Sequence, residues 1–281
     1  KNPGLVEANN CYPAPGGFAP FEGLAATGDT TTERVYGAQR FFRNDGTSIV
    51  VAGSSTRLIV RDGAGVTEVT GLTAIGDTSS WQFERFNDLV VAVSRENVPQ
   101  YLTNIDGDTT FSALPGNPPK AAVIGKVLDW LVLGDLEDIA GLGSPTVPYR
   151  VRWSAFNNPT TSWVTDRGEQ SDFRDLDRKY GRVTGIAGGR FGLVFQERAI
   201  WRMVYVGAPK VFDFELVTDE RGCVAPGSIE TIGYRTYFLD KAGFFVTNGS
   251  DVEAIGDDRV NQQFTEEVEG VAIPLVHGAI N

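Results

Sequence analysis

Five hairpin-like segments recur along the chain at a nearly constant spacing. Each pairs two short runs rich in Val, Ile, Leu, Phe and Tyr across a polar turn, which is typical of antiparallel strands. One landmark in the first run of each hairpin gives separations of 40, 42, 62 and 44 residues; the landmarks are Ile49, Leu89, Leu131, Leu193 and Tyr237. An insertion in the third unit explains its longer interval. A period of about 42 residues, with about four strands in each unit, predicts the blades of a β-propeller.

The fold class predicted from this repeat is all-β, a propeller-like array of short antiparallel sheets. The five hairpins pair residues 48–53 with 57–61, 88–94 with 100–103, 130–134 with 149–154, 191–195 with 200–206, and 234–239 with 244–247. A single small twisted sheet cannot bury both of its faces, so we expect the sheets to pack face to face around an axis. A β-sandwich is the alternative, since its strands show turn signals as often.

Three regions are expected along the chain. Residues 1–35, rich in Gly, Pro and Thr, predict an extended arm, and residues 36–256 predict a propeller-like domain of about five units with an insertion at 134–148. Residues 257–281 predict the start of a further unit, with a short amphipathic helix over 257–269. The charged stretch 167–180 is interpreted as a surface loop. The chain starts at Lys and stops after an apolar stretch, so we expect both a missing start and a missing continuation.

Net charge and cysteine content exclude several classes of function. Twenty-five basic against 36 acidic residues leave a net charge of −11, which argues against a basic groove that grips nucleic acid. Cys11 and Cys223 lie far apart and form no CxxC pair, so two free thiols in a reducing compartment are expected. We see no apolar run of the roughly 18 residues that a membrane helix needs, and no signal peptide.

Motifs for catalysis or for metal binding are not recognisable. His277 is the only histidine, no GxSxG elbow occurs, and we interpret this histidine as structural. The carboxylates of 135–138 and 251–258 lack the spacing of a calcium loop and are interpreted as solvated. We therefore predict no enzyme, no cofactor and no metal site, and assign no catalytic, cofactor-binding or metal-ligating residue.

Four stretches of the sequence carry a specific signal. They are Gly17–Gly23 (GFAPFEG), a WS…NP…W element, a QER hairpin and an RGC-APGS link. The last three are carried by Trp153, Ser154, Pro159 and Trp163; by Gln196, Glu197, Arg198 and Arg202; and by Arg221, Gly222, Cys223, Pro226 and Gly227. Together they are similar to the tail proteins of short-tailed bacteriophages, the tail tubular protein B or nozzle of T7-like phages.

This resemblance implies a structural role in a virion tail. The resemblance implies a ring of about six copies, and DNA leaves the particle through this ring. The ring would lie below the portal and adaptor and would also contact tail fibre proteins. The protein would be made in the bacterial host cytoplasm, and DNA would pass it transiently. Residues 134–148, 166–180 and the N-terminal arm are the predicted contacts. An acidic wall would repel DNA phosphates, if the acidic residues face the passage.

Each motif also has a local structural interpretation. Trp153, Trp163 and Trp201 are interpreted as core aromatics between blades, and Glu197 and Arg198 as partners across a polar turn. Pro226-Gly227 suits a type II turn in which Gly supplies a positive φ. Two alternative functions stay open: a carbohydrate-binding or glycan-hydrolysing propeller, including a receptor-binding tail protein, and an intracellular propeller scaffold for protein partners.

Overall fold

A computed structural model describes residues 11–14, 17–20, 33–137, 146–257, 260–268 and 270–279. The chain divides into two compact units, residues 1–32 and residues 33–281. In the first unit, strands β1 (Cys11–Ala14) and β2 (Gly17–Pro20) form an antiparallel pair.

The second unit is a five-bladed β-propeller, and each blade is a four-stranded antiparallel sheet whose strands follow chain order. Blade 1 comprises β3 (Val35–Phe42), β4 (Ser48–Ser54), β5 (Leu58–Asp62) and β6 (Gly65–Val69). Blade 2 comprises β7 (Gln82–Phe86), β8 (Leu89–Ser94), β9 (Asn97–Leu102) and β10 (Ser112–Ala113). Blade 3 comprises β11 (Lys120–Val127), β12 (Trp130–Glu137), β13 (Thr146–Trp153) and β14 (Asp172–Asp175). Blade 4 comprises β15 (Val183–Ala187), β16 (Gly192–Gln196), β17 (Ile200–Gly207) and β18 (Val211–Thr218). Blade 5 comprises β19 (Glu230–Ile232), β20 (Arg235–Asp240), β21 (Gly243–Thr247) and β22 (Val252–Ala254).

The predicted propeller is therefore confirmed, and the β-sandwich alternative is wrong. Each of the five predicted hairpins is the pairing of the second and third strands of one blade. Second strands such as β12 and β16 are buried along almost their whole length, because blades pack on both of their faces. Strands that are buried on both faces consist of continuous runs of apolar residues, and such runs can be recognised in the sequence.

The hydrophobic core consists of clusters between neighbouring blades. Four such clusters join blades 1 and 2, 2 and 3, 3 and 4, and 4 and 5. At the first joint, the buried Trp81 indole donates from Nε1 to the carbonyl of Ser54 at 2.9 Å. Gly37 and Gly53 face the same tryptophan, and a β-carbon at either position would overlap Trp81. The joint between blades 1 and 2 thus requires glycine at these two positions.

Because the strands of each blade are antiparallel and follow chain order, the two ends of a blade carry different turns. The first strand of each blade begins at one end, called the upper end, which also carries the turn between the second and third strands. The turns between the first and second strands and between the third and fourth strands lie at the lower end.

Three predictions outside the five hairpins need correction. Helix α1 spans Asn261–Glu267 rather than 257–269, and Val260, which directly precedes it, is half exposed at 50%. The stretch 167–180 is not a plain loop, since it contains β14 and a 3₁₀ helix at Arg178–Tyr180. The strands β12 and β13 occupy much of the predicted insertion at 134–148, whose residues 138–145 lie outside the described part. Further 3₁₀ helices span Pro226–Ser228 and Gly270–Leu275.

None of the helices in the described ranges is long and apolar enough to cross a membrane.

Candidate functional site

A central channel of about 350 Å³ is lined by the first strands of all five blades. It is continuous with a larger cavity at the upper end, about 620 Å³ in volume, since Ser80, Gln82 and Pro226 line both. We call the larger space the upper cavity. Blades 2 to 5 supply its walls through the starts of first strands and the turns between second and third strands. Pro274, from the 3₁₀ helix after α1, completes the wall.

Asp135 is the most unusual residue of the upper cavity. It sits at a β-bulge in β12, where the pairing register shifts between Gly134 and Leu136, and its φ is +55°. A bulge adds one residue to a strand and redirects its side chain, so the carboxylate points into the protein. Only 2% of that side chain is exposed. Arg95 of the neighbouring blade forms an ion pair with Oδ2.

A second arginine approaches Asp135 without a hydrogen bond. Arg182 Nη2 lies 3.8 Å from Asp135 Oδ1, and that oxygen has no hydrogen-bond partner among the described residues. Burial raises the pKa of the Asp135 carboxyl above its usual value, while the charges of Arg95 and Arg182 oppose the rise. A second carboxylate in the cavity wall is in the same situation. Glu96 Oε1 accepts from Ser79 Oγ at 2.6 Å, while Oε2 is buried and finds no hydrogen-bond partner within the described ranges. The upper cavity therefore holds two carboxylate oxygens that still lack a hydrogen-bond donor.

The channel wall contains a further carboxyl group that is removed from water, Glu84. Glu84 of β7 accepts hydrogen bonds from the backbone N–H groups of Arg85 and Lys126, at 3.0 and 3.2 Å. Removal from water raises the pKa of Glu84 to about 7, and those hydrogen bonds only partly offset the effect. Glu84 is therefore a group that titrates near neutral pH on the channel wall.

Within the described residues, no cluster of three or more His, Cys, Asp or Glu side chains could hold a metal ion.

The QER motif forms a structural joint within blade 4. The buried Gln196 amide donates to the carbonyls of Asp177 and Gly181, at 3.2 and 2.7 Å, and its Oε1 accepts from Trp201 Nε1 at 2.7 Å. One side chain thus ties the strand end to the 3₁₀ helix before it and to the next strand. Trp201 packs at the edge of the cluster between blades 3 and 4.

Glu197 and Arg198 were expected to pair across the turn, and they contact other groups instead. The Arg198 guanidinium donates to the carbonyl of Lys179. The Glu197 side chain covers Gly181, where a β-carbon would overlap it, and lines the upper cavity. Further along the hairpin, Arg202 forms an ion pair with Glu215, with 2.8 Å between Nε and Oε2.

The WS…NP…W element connects blades 2, 3 and 4. Trp153 packs in the cluster between blades 3 and 4 and Trp163 in the cluster between blades 2 and 3, so both are core aromatics between blades as predicted. Trp163 Nε1 donates to the carbonyl of Pro159 at 2.8 Å, and Trp153 Nε1 donates to the carbonyl of Gln170 at 3.0 Å. Ser154 Oγ accepts from the backbone N–H of Leu131 at 3.1 Å.

The RGC link joins blades 4 and 5. Gly222 N–H donates to Asp240 Oδ2 at 3.0 Å, and Cys223 N–H donates to the carbonyl of Gln196 at 3.0 Å. The Arg221 guanidinium lies over the Phe245 ring at 5.1 Å. Cys223 is a buried free thiol, and burial raises its pKa to about 11. A thiol with so high a pKa is a poor nucleophile, so its role here is packing.

The predicted type II turn at Pro226-Gly227 is wrong. Pro226–Ser228 form a 3₁₀ helix, and Gly227 does not have a positive φ. Glycine is required there for another reason: the ring of His277 occupies the space of a β-carbon. This histidine lies at the channel wall, on the segment that follows the last 3₁₀ helix.

Sequence reasoning missed Asp135, which it assigned to a solvated loop; Asp138, the other end of that stretch, lies outside the described residues. The available signal was Gly134, a glycine inside a run of Leu and Val, which favours a bulge. Asp135 is the next residue, at the bulge itself, and only 2% of its side chain is exposed. For Arg95 and Glu96 the sequence predicts only a hairpin turn.

The lower end has a different chemistry. Every exposed aromatic side chain in the described ranges lies there, at turns of blades 1, 3, 4 and 5. These residues, with their exposed fractions, are Phe42 (57%), Phe156 (47%), Tyr205 (45%) and Tyr234 (75%). Phe156 and Tyr205 flank the buried Trp130, with ring centroids 4.9 and 5.3 Å away. Exposed aromatics on one face are typical of a surface that contacts another protein.

Comparison with known proteins gives no family for this chain. No family model and no curated protein matches the sequence.

Solved structures do match. The extracellular domain of a hybrid two-component system from B. thetaiotaomicron matches with a TM-score of 0.49 and 12% identity, over 80% of this chain and 28% of that one. YCF48 from Cyanidioschyzon merolae matches with a TM-score of 0.46 and 7% identity, over 74% of this chain and 69% of that one. The β-propeller domain of Cps50 (Swd1) from Myceliophteria thermophila gives 0.38 and 11%, over 77% and 84%. The chain spans less than a third of the first of these proteins, and similarity at this level carries no information about activity.

Proposed function

We propose that this chain is a non-catalytic building block of a bacteriophage tail, a nozzle or hub subunit that assembles with copies of itself into a ring through which DNA leaves the particle. The observation that carries the proposal is the concentration of the exposed aromatic side chains at the lower end of the blades. A ring requires each subunit to present surface that a neighbouring chain covers, and aromatic residues are enriched in such interfaces.

The likeness to nozzle proteins supports the same role. The motif residues that carry it are used to join blades: Gln196 bridges three elements of the fold, and Trp153 and Trp163 fill the spaces between blades. A sequence signature made of such joints belongs to a scaffold rather than to a reaction centre. The portal, adaptor and tail fibre proteins are the further partners in this proposal.

The net charge of −11 also agrees with a conduit for DNA. An acidic wall repels phosphates, whereas a basic wall would hold DNA through counterion release. The strands and turns around 166–180 and the N-terminal segment remain proposed contacts with neighbouring subunits.

The first experiment is immunogold labelling of purified virus particles with an antibody against this chain, viewed by negative stain. Label at the tail supports the proposal. Unlabelled particles, with the protein recovered only from host lysate, would contradict it and favour an intracellular scaffold.

The second experiment tests the lower end as the assembly surface. Sedimentation velocity of the purified protein should show an oligomer, and Phe156→Ser combined with Tyr234→Ser should shift it towards monomer. Val98→Ser is the matched control. Val98 is also an apolar residue and is 41% exposed, but it lies near the start of β9, at the upper end of blade 2. Equal effects of the two changes would contradict the assignment of the lower end.

A further inference from the structure

The upper cavity has the features of a built binding site. It lies where turns from blades 2 to 5 converge, and its volume of about 620 Å³ is in the range of small-molecule sites. The β-bulge at Asp135 turns a charged side chain into this space from a strand that is otherwise buried in the core. The cavity is remote from the exposed aromatics of the lower end, so the proposed assembly surface does not use it.

Two of its acceptors are unused. Asp135 Oδ1 and Glu96 Oε2 come from neighbouring blades, are buried, and have no hydrogen-bond partner in the part of the chain that the structure describes. Buried polar atoms are normally hydrogen-bonded, because an unpaired one loses its contact with water and gains nothing in exchange. A ligand that brings hydrogen-bond donors would satisfy both oxygens.

The charges of the cavity wall select for a neutral ligand. Three cationic and three anionic side chains line the cavity, namely Arg95, Arg182, Lys241, Glu96, Asp135 and Glu197. Asp135 already pairs with Arg95 and lies near Arg182, so a cationic ligand would displace or approach two guanidinium groups. An anionic ligand would meet the carboxylates in turn. A molecule without net charge avoids both costs.

Hydroxyl groups complete the wall. Thr78, Ser79, Ser80 and Thr184 line the same space. The Ser79 and Thr184 hydroxyls already donate to Glu96 Oε1 and to the carbonyl of Phe195, so towards a ligand they act as hydrogen-bond acceptors. A wall that carries both donors and acceptors is complementary to a ligand that also carries both on neighbouring atoms. The hydroxyl groups of a sugar meet this requirement, since each donates one hydrogen bond and accepts others.

We propose that the upper cavity binds a neutral saccharide, whose hydroxyl groups donate to Asp135 Oδ1 and Glu96 Oε2 and accept from Arg182 and Lys241. The ligand is a mono- or disaccharide, either free or at the end of a longer glycan. No chemical change of the sugar is part of the proposal.

Isothermal titration calorimetry of the full chain with a panel of neutral hexoses, N-acetylhexosamines and their disaccharides tests the proposal. Glucosamine and glucuronate, which carry opposite charges on the same scaffold, serve as charged comparators. We expect at least one neutral sugar to bind, and both charged comparators to bind at least tenfold more weakly than the neutral sugar of the same ring. A longer oligosaccharide with the same terminal sugar distinguishes a glycan end, which would bind at least as well as the free sugar, from a free-sugar site, which would exclude it.

Variants locate the binding. Glu96→Gln and Asp135→Asn should each weaken binding at least tenfold, whereas Asp62→Asn, which changes the Arg43–Asp62 ion pair of blade 1, should leave it unchanged. Glu96→Gln is the primary variant. Within the described residues Glu96 forms no ion pair, so this substitution breaks no ion pair that could stabilise the fold. The proposal is overturned if no neutral sugar of the panel binds at concentrations up to about 10 mM, or if Glu96→Gln binds the sugar like the wild type.

Discussion

The imidazole of His277 lies directly against Gly227, so that a β-carbon at position 227 would come within 2.6 Å of Cε1. The backbone also joins the two segments, since Gly278 N–H donates to the carbonyl of Gly227 at 2.8 Å. The segment that follows the last 3₁₀ helix is therefore fastened to the entry of blade 5, at the wall of the central channel.

Gly227→Ala should loosen this segment while the blades stay folded. The new methyl group displaces the exposed His277 ring, and the hydrogen bond of Gly278 is lost with it. Hydrogen exchange measured by mass spectrometry should show faster exchange in residues 270–279 and unchanged exchange in the strands of blades 1 to 4.

A double-mutant cycle tests the physical cause. In a His277→Ala background, Gly227→Ala should have almost no further effect on exchange, because the ring that it displaces is already absent. An equal effect of Gly227→Ala in both backgrounds would show that position 227 needs glycine for its backbone conformation rather than for this contact.

The strands that the sequence predicts well are those packed on both faces. Second and third strands such as β8 and β9 contain long buried runs, whereas fourth strands such as β10, two residues long, and β22 lie exposed at the outer edge. Edge strands bury little surface and therefore have no apolar pattern to recognise. First strands such as β15 line the channel and use glycine for close packing, which weakens their strand signal as well.

The candidate site is harder to predict because it depends on contacts between distant residues. Asp135 is buried by Arg95 and Arg182, which lie 40 and 47 residues away in the chain, so no local pattern marks it. The same reason explains Gly227, whose local sequence favours a turn while its contact with His277 comes from 50 residues further on. Packing between blades thus decides what the local sequence leaves open.

Gln196→Leu should strongly destabilise the propeller. The substitution keeps the volume but removes the donor to the carbonyls of Asp177 and Gly181 and the acceptor for Trp201 Nε1. The carbonyl of Asp177 still accepts from the backbone N–H of Tyr180, so the carbonyl of Gly181 and Trp201 Nε1 are the groups that lose their partner. Buried polar groups left without partners cost about 1–3 kcal/mol each, so we expect a loss of about 2–6 kcal/mol in the free energy of unfolding. Urea denaturation followed by tryptophan fluorescence measures it.

The matched control for Gln196→Leu is Gln262→Leu. Gln262 is exposed on helix α1, and its side-chain amide donates to Glu266 Oε1 at 3.0 Å. Its substitution should change the free energy of unfolding by less than about 0.5 kcal/mol. If both variants unfold at the same urea concentration, the Gln196 network does not contribute to stability.

Gly53→Ala should destabilise the joint between blades 1 and 2. A β-carbon at position 53 would overlap Cδ1 and Cγ of the buried Trp81, whose indole is also held by Ser54. Insertion of one methyl group into a closely packed core costs about 1–3 kcal/mol. Gly63→Ala in the same blade is the control, because a β-carbon there meets open space and the φ of Gly63 is not positive. A difference in melting temperature between these two Gly→Ala variants measures the contact with Trp81, and no difference would refute it.

Stability should fall as the pH rises from about 4.5 to about 7, because of Glu84. Its carboxyl has a pKa of about 7 in the folded protein against an ordinary value of 4.5, so the folded state binds a proton that the unfolded state has already released. The contribution is complete below pH 4.5 and lost above pH 7, and it amounts to about 3 kcal/mol at 1.4 kcal/mol for each pH unit. Asp135, whose pKa is also raised, acts in the same direction.

Denaturation of the wild type and of Glu84→Gln in urea at pH 5 and at pH 8 separates this group from all others. The wild type should lose more stability between the two pH values than Glu84→Gln, since the amide cannot ionise. The control is Glu68→Gln, which replaces the exposed carboxylate that pairs with Arg57, and it should keep the wild-type difference. If Glu84→Gln loses as much stability as the wild type, Glu84 is charged at both pH values, and its hydrogen bonds, the charge of Lys126 and contact with water together outweigh the effect of burial.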